Sequence, residues 1–75
     1  MKELLEVIAK NLVDNPDKVV VNERVDGDAL ILELTVDGDD IGKVIGKQGR
    51  IAKSIRSVIK AAAIREDKKV VVKIM

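Results

Sequence analysis

Residues 44–56, VIGKQGRIAKSIR, place two glycines three positions apart in front of an amphipathic, basic segment. Gly46 and Gly49 enclose Lys47 and Gln48, and apolar residues recur at helical spacing on both sides of the glycines. A short helix, a glycine turn and a longer helix that runs to about Arg65 are therefore predicted.

Upstream of the helix pair, the sequence predicts a β-hairpin. Residues 18–25 alternate β-branched and polar residues, and a second alternating run covers residues 29–36. The DGD at 26–28 between them is a tight-turn signal. DGDD at 37–40 ends the second strand, and Asp40 is expected to cap the short helix that follows.

Both ends of the chain complete the order of elements. Apolar residues from Leu4 to Val13 recur at helical spacing, and this first helix should stop before Pro16. KKVVVKI at 68–74 predicts a last strand. The order α-β-β-α-α-β requires two helices to connect the second and third strands, and such crossovers favour a right-handed path. We expect one two-layer α+β domain over residues 1–75, with a three-stranded sheet and three helices on one face.

Composition narrows the classes of function. The 75 residues are 47% apolar and 36% charged, and they include no cysteine, histidine, phenylalanine, tyrosine or tryptophan. The usual nucleophiles, bases and transition-metal ligands are thus missing, so we expect neither an enzyme nor a metal or other cofactor. No apolar run is long enough for a membrane span or a secretory signal, which favours the cytoplasm.

Charge is segregated along the chain. Between Ile41 and Arg65 there are seven basic residues and no acidic one, whereas the rest of the chain has seven basic and thirteen acidic residues. A basic segment in an otherwise acidic chain indicates a polyanionic partner.

The two glycines can serve such a partner or the fold alone. Without a Cβ, Gly46 and Gly49 let a phosphate approach the backbone, and the next helix should offer unpaired N–H donors at its start. By itself, however, G-x-x-G is also found in ordinary turns between helices. Two other phosphate or metal motifs fail. GKVIGKQ has the wrong glycine spacing for a P-loop, and DGDD has too few ligands for an EF-hand.

The wider pattern is more specific. A G-x-x-G between two helices of a β-α-α-β unit, with IGKVIGKQGRIAKSIR around it, resembles the KH domain of RNA-binding proteins. The extra N-terminal helix and strand resemble the type II arrangement of bacteria, and the whole chain is similar to small KhpA-type KH proteins. This resemblance implies a single KH domain that holds about four nucleotides of single-stranded RNA.

The resemblance also implies roles for particular residues. Gly46 and Gly49 would allow close approach, and Lys47 and Gln48 would contact phosphates. The flanking residues Lys43, Arg50 and Lys53 would add positive charge. The residues expected to line the groove for the bases are Ile41, Val44, Ile45 and Ile51.

Alternatives remain open for several of these residues. Ile45 and Ile51 could be ordinary core residues, and Lys53, Arg56 and Lys60 could form a solvated helix face. Because aromatic stacking is impossible here, base contacts must be aliphatic packing and hydrogen bonds. We therefore expect weak, salt-sensitive binding with low sequence preference.

The long helix predicts a second surface. Its core stripe is expected to contain Ile51, Ile55, Val58, Ile59 and Ala62. A neighbouring stripe of small residues with one isoleucine could seat a second copy of the chain: Ser54, Ser57, Ala61 and Ile64.

The resemblance implies a homodimer and a larger Jag-type KH protein as a further partner. Val20, Ile31 and Val71, on the outward face of the strands, form a rival patch. The alternative function is an interaction module that dimerises and has little RNA binding of its own.

Overall fold

The computed structural model describes all residues, Met1–Met75, and has the predicted order of elements. The helices and strands are α1 (Lys2–Leu12), β1 (Val20–Asp26), β2 (Ala29–Thr35), α2 (Ile41–Ile45), α3 (Arg50–Arg65) and β3 (Lys69–Ile74). Short 3₁₀ turns lie at Pro16–Lys18, Gly38–Asp40 and Lys47–Gly49. None of the helices combines the length and apolar character that a membrane crossing requires.

The sheet is mixed, with the strands in the order β1-β2-β3. β1 and β2 form the predicted antiparallel hairpin, with Val21 opposite Leu34. β2 and β3 run parallel, with Leu34 opposite Ile74. The connection between the parallel strands consists of α2, the glycine turn and α3. Within it, α3 packs mainly against β3, whereas α1 packs against β1 at the other edge of the sheet.

A single core lies between the sheet and the helices. Leu32 and Leu34 of the central strand are fully buried, as are Leu5 of α1, Val44 of α2 and Ile59 of α3. These residues belong to one apolar cluster that joins the sheet to all three helices. The α+β class, with its three-stranded sheet and three helices, is therefore confirmed.

The buried face of α3 differs from the predicted stripe. Ala52, Ile55, Ile59 and Ala63 are buried, whereas Val58 is 49% exposed. Small alanines let the helix lie close against its neighbours, so the buried face is centred on them. The prediction that Val58 belongs to the core stripe is therefore wrong.

Two details of the sheet also differ from expectation. β1 begins at Val20 because residues 16–18 form a 3₁₀ turn. Along this edge strand only Val21 is buried, and Val25 is 75% exposed. Ile31 lies on the outward face but is only 6% exposed, since it sits in the central strand between Arg24 and Val71. The rival patch therefore lacks its central residue.

Candidate nucleic-acid interface

The turn between α2 and α3 has a backbone that few sequences can adopt. Three of its residues have positive φ angles: Gly46 at 75°, Gln48 at 58° and Gly49 at 74°. The N–H of Gly46 donates to the Gly42 carbonyl at 2.9 Å, and that of Gly49 donates to the Gly46 carbonyl at 3.1 Å. These bonds make residues 46–49, called the loop below, a defined structure.

The two glycines of the loop are needed for different reasons. A Cβ on Gly46 would lie 2.5 Å from Cγ1 of Ile51, so the fold itself leaves no room for a side chain. A Cβ on Gly49 would meet no atom within 4 Å. Glycine is favoured at position 49 only because the backbone there is left-handed. The space beside Gly49 is open to a ligand.

The tip of the loop is exposed and polar. Lys47 and Gln48 both lie in solvent, and Lys47 has no acidic partner. Arg50 donates from Nη2 to Oε1 of Gln48 at 3.2 Å, which holds the guanidinium beside the tip. Lys53 is also exposed, about one helical turn farther along α3. Four polar, exposed side chains thus lie in or just after the loop along the chain.

One expected donor is already used. The backbone N–H of Arg50, the first of α3, donates to the Lys47 carbonyl. It therefore does not point to a ligand, contrary to the expectation of unpaired donors at the start of the helix.

The apolar residues around the loop belong mainly to the core. Val44, which was predicted to line the groove, is completely buried, so its side chain has no exposed surface there. Ile41, Ile45 and Ile51 are partly buried, and Ile51 fills the space beneath Gly46. They hold α2 and the loop against the core and leave only part of their surface for a ligand.

Lys43 is tied to acidic side chains. Its Nζ lies 2.8 Å from Oδ2 of Asp14 and 3.4 Å from Oδ1 of Asp40. The hydrogen bond and charge of Asp14, with a smaller contribution from Asp40, raise the pKa of Lys43 above its usual value. Of the predicted basic contacts, Lys43 alone is neutralised inside the protein.

Asp40 is the only buried charged residue of the chain. It precedes α2, as predicted, but its side chain does not cap that helix. Its carboxylate instead accepts from the backbone N–H of Asp14 (3.3 Å) and Asn15 (3.0 Å) and from Nδ2 of Asn15 (3.1 Å). Burial pushes the pKa of Asp40 upward, but the bonds from Asn15, Asp14 and Lys43 outweigh this effect and lower it.

A basic groove that was not predicted from the sequence lies between α3 and the open edge of β3. It has a volume of about 450 Å³ and a largely apolar floor. Four basic residues line it: Arg56, Lys60, Lys68 and Lys69. Nε of Arg56 donates to the Val72 carbonyl at 3.4 Å and so spans from the helix to the strand. The spacing of Lys53, Arg56 and Lys60 indicates a basic face of α3. That β3 lies beside this face follows only from the topology.

The predicted association stripe is fully on the surface. Ser54, Ser57, Ala61 and Ile64 are all exposed. Val58 adds an exposed apolar side chain beside them, next to an apolar cleft of about 460 Å³ between α1 and α3.

Comparison with known proteins identifies the family. The model of the KhpA/KhpB KH domain matches residues 2–74. The chain is 65% identical to "RNA-binding protein KhpA" of Clostridium perfringens and 64% identical to the protein of that name in Clostridium acetobutylicum. Both alignments cover all of this chain and all of the relative.

Solved structures share the fold at low sequence identity. Aquifex aeolicus Era bound to GDP·AlF4⁻ superposes with a TM-score of 0.61 at 18% identity. Era in complex with MgGDPNP and a segment of 16S ribosomal RNA superposes with a TM-score of 0.62 at 19% identity. Each match covers 97% of this chain but only 28% of the Era chain. With its family match and its full-length relatives, the chain belongs to the KhpA/KhpB family of KH-domain proteins.

Proposed function

We propose that this protein binds single-stranded RNA without catalysing a reaction, with the RNA backbone at the loop and the bases in the groove between α3 and β3. The observation that carries the proposal is the continuity of positive charge from one to the other. Lys47 and Arg50 stand at the loop, and Lys53, Arg56 and Lys60 follow on one face of α3 at helical spacing.

The loop suits a phosphate. The open space beside Gly49 lets the RNA backbone approach closely, and Lys47 supplies an unpaired charge. Gln48 and Arg50, already in contact, lose less conformational freedom when they bind a phosphate than two free side chains would.

The groove suits unstacked bases. Ile64 and Val70 give it apolar surface, and Arg56 and Lys60 supply donors. No aromatic residue is available for stacking, which elsewhere contributes about 1–3 kcal/mol per base. Binding should therefore be weak, sensitive to salt and of low sequence preference. Full-length relatives named RNA-binding proteins support this assignment, and a role in the cytoplasm is consistent with it.

The test is fluorescence anisotropy of a short labelled single-stranded RNA, titrated at low and moderate salt. Native protein is compared with a Lys47→Asp, Gln48→Asp variant, and circular dichroism checks that both are folded. The variant should bind at least about tenfold more weakly, with a shallower salt dependence because phosphate contacts are lost.

A matched control carries the same change of charge elsewhere. Lys2→Asp with Asn22→Asp alters α1 and β1, and neither residue lines the loop or the groove. This control should keep nearly native affinity. Equal losses in both variants, or no binding by native protein, would reject the loop as the phosphate site.

Self-association is a second candidate function, favoured by the exposed Val58. This residue lies at the middle of α3 and has small neighbours on both sides: Ser54, Ser57, Ala61 and Ala62. Such a surface lets a second helix approach closely, and the cleft beside Leu4, Ile8 and Leu12 extends it onto α1. The same face could receive a larger Jag-type KH protein.

Light scattering across a range of protein concentrations tests self-association. A dimer is expected in the native protein, and Ala61→Glu or Ser57→Lys should convert it to a monomer. A native monomer at every concentration would remove this candidate. If Ala61→Glu also abolishes RNA binding in a folded protein, the two activities depend on each other.

A further inference from the structure

One group of charged residues lies outside the proposed RNA surface. Asp14 follows α1, Asp40 precedes α2, and Lys43 lies within α2. Lys43 Nζ contacts both carboxylates, and Asp40 also accepts the backbone N–H groups of Asp14 and Asn15. We propose that Asp14, Asp40 and Lys43 act as positioning residues, called the clamp below, which fix α2 and thereby hold the loop in its RNA-binding geometry. This inference rests on the proposed function.

The length of α2 makes a clamp necessary. The helix has five residues, far fewer than an isolated helix needs to be stable in water. Its apolar contact with the core is centred on the buried Val44. The clamp is the polar attachment at its start, and the loop begins directly after its last residue. A shift of α2 would therefore move Gly46 and the two exposed side chains at the tip.

The clamp also separates Lys43 from the other basic residues of this segment. Lys47, Arg50 and Lys53 have no acidic partner, whereas Lys43 is held by two carboxylates. A lysine that is neutralised within the protein releases few counterions when RNA binds. Lys43 should therefore influence RNA binding through the position of α2, and only weakly through its own charge.

Two substitutions with opposite changes of charge test this idea. Asp14→Asn makes the protein more positive, and Lys43→Met makes it less positive. If charge alone matters, the first should strengthen RNA binding and the second should weaken it. Because each breaks the same ion pair, the clamp predicts that both weaken binding by about two- to fivefold, as expected for a solvent-accessible pair. The double variant should be no worse than Lys43→Met alone.

Controls match each substitution at an exposed residue outside the clamp. Asp17→Asn adds the same charge as Asp14→Asn, and Lys10→Met removes the same charge as Lys43→Met. Salt titration gives a further readout, since Lys43→Met should leave the salt dependence unchanged whereas Lys47→Met should reduce it. Tighter binding by Asp14→Asn, or a reduced salt dependence in Lys43→Met, would overturn the clamp.

A second measurement is independent of RNA. Amide hydrogen exchange of the free protein should show faster exchange at Gly46 and Gly49 in both clamp variants, with Leu32 and Leu34 of the central strand unchanged. Uniform acceleration at all four amides would indicate a general loss of stability and reject the positioning role. If native protein binds no RNA, the proposed function fails, but this measurement still decides whether the clamp holds the loop.

Discussion

The two ends of α2 are both polar, yet they are built in opposite ways. At the start of the helix, Asp40 is buried and its carboxylate is bonded to Asn15, to the Asp14 backbone and to Lys43. At the end of the helix, Lys47 and Gln48 are exposed. Three of the four loop residues, Gly46, Gln48 and Gly49, have positive φ angles. The first end uses its polar groups within the protein, and the second leaves them exposed to solvent.

This difference shows how so small a domain can present an exposed loop without disorder. Positive charge and unusual backbone angles at the tip cost stability, and the closed end of the helix offsets part of that cost. Polar residues at helix ends should therefore be judged by their partners, since the sequence alone gives the two ends a similar appearance.

The largest effect on stability is expected at Gly46, where the end of α2 meets the core. Gly46→Ala forces a Cβ to within 2.5 Å of the Ile51 side chain at φ 75° and ψ 175°, a region essentially restricted to glycine. We expect a loss of about 3 kcal/mol or more in the free energy of unfolding, from strain and overpacking together. Urea unfolding followed by circular dichroism measures it. A loss below that of Gly49→Ala would contradict the steric argument.

The next prediction concerns Asp40, at the start of α2, and the dependence of stability on pH. The pKa of Asp40 is lowered below its ordinary value of 3.8, so its charged form stabilises the folded state. That stabilisation is fully present above pH 3.8 and is lost as pH falls through the lower pKa of the folded protein. Asp40→Asn should therefore unfold at lower temperature than native protein near pH 7, and the difference should shrink toward pH 2. A difference that is constant down to pH 2 would exclude the ionised carboxylate as its cause.

Gly49→Ala should have a smaller effect than Gly46→Ala. Both glycines have positive φ, but a Cβ on Gly49 meets no atom. The expected loss is about 1–2 kcal/mol, the cost of a left-handed conformation with a side chain. The same urea titration measures it, and RNA affinity should also fall because the new methyl group occupies the open side of the loop. Unchanged RNA affinity would indicate that RNA does not approach Gly49.

The smallest effect has the opposite sign. Gln48 has a φ of 58°, and replacing it by glycine should relieve that strain and stabilise the protein by up to about 0.5–1 kcal/mol. It should also weaken RNA binding, since the contact with Arg50 is lost. Thermal unfolding and anisotropy on the same samples check both results. A less stable variant would mean that the contact with Arg50 outweighs the backbone strain.

Much of the fold could be predicted from local patterns. Alternating apolar and polar residues predicted the hairpin, and helical spacing predicted the helices. Two helices between β2 and β3 implied that these strands pair in parallel. The buried face of α3 was harder, because Ala52 and Ala63 are buried by close approach of neighbouring elements and not by their own hydrophobicity. A pattern that follows large apolar residues therefore included Val58 wrongly.

The candidate site was predictable only where the signal was local. The two glycines and the basic residues around them identify the loop. Two partners of Asp40, however, are distant in sequence: Asn15 lies 25 residues away and Asp14 lies 26 residues away. The same is true of the groove, because Lys68 and Lys69 meet Arg56 only after β3 has paired with β2. Pairings over such distances depend on topology, which no short stretch of sequence contains.

The open edge of β3 has a consequence for the behaviour of the protein at high concentration. KVVVKI is an apolar strand with an unpaired edge, and such edges tend to recruit strands from other molecules and to aggregate. Here Lys69 and Lys73 flank the apolar residues, and Nε of Arg56 donates a hydrogen bond to the Val72 carbonyl. Arg56 and Lys69, which line the groove proposed for RNA, should therefore also hinder the addition of strands at this edge, and neutralising them should lower solubility.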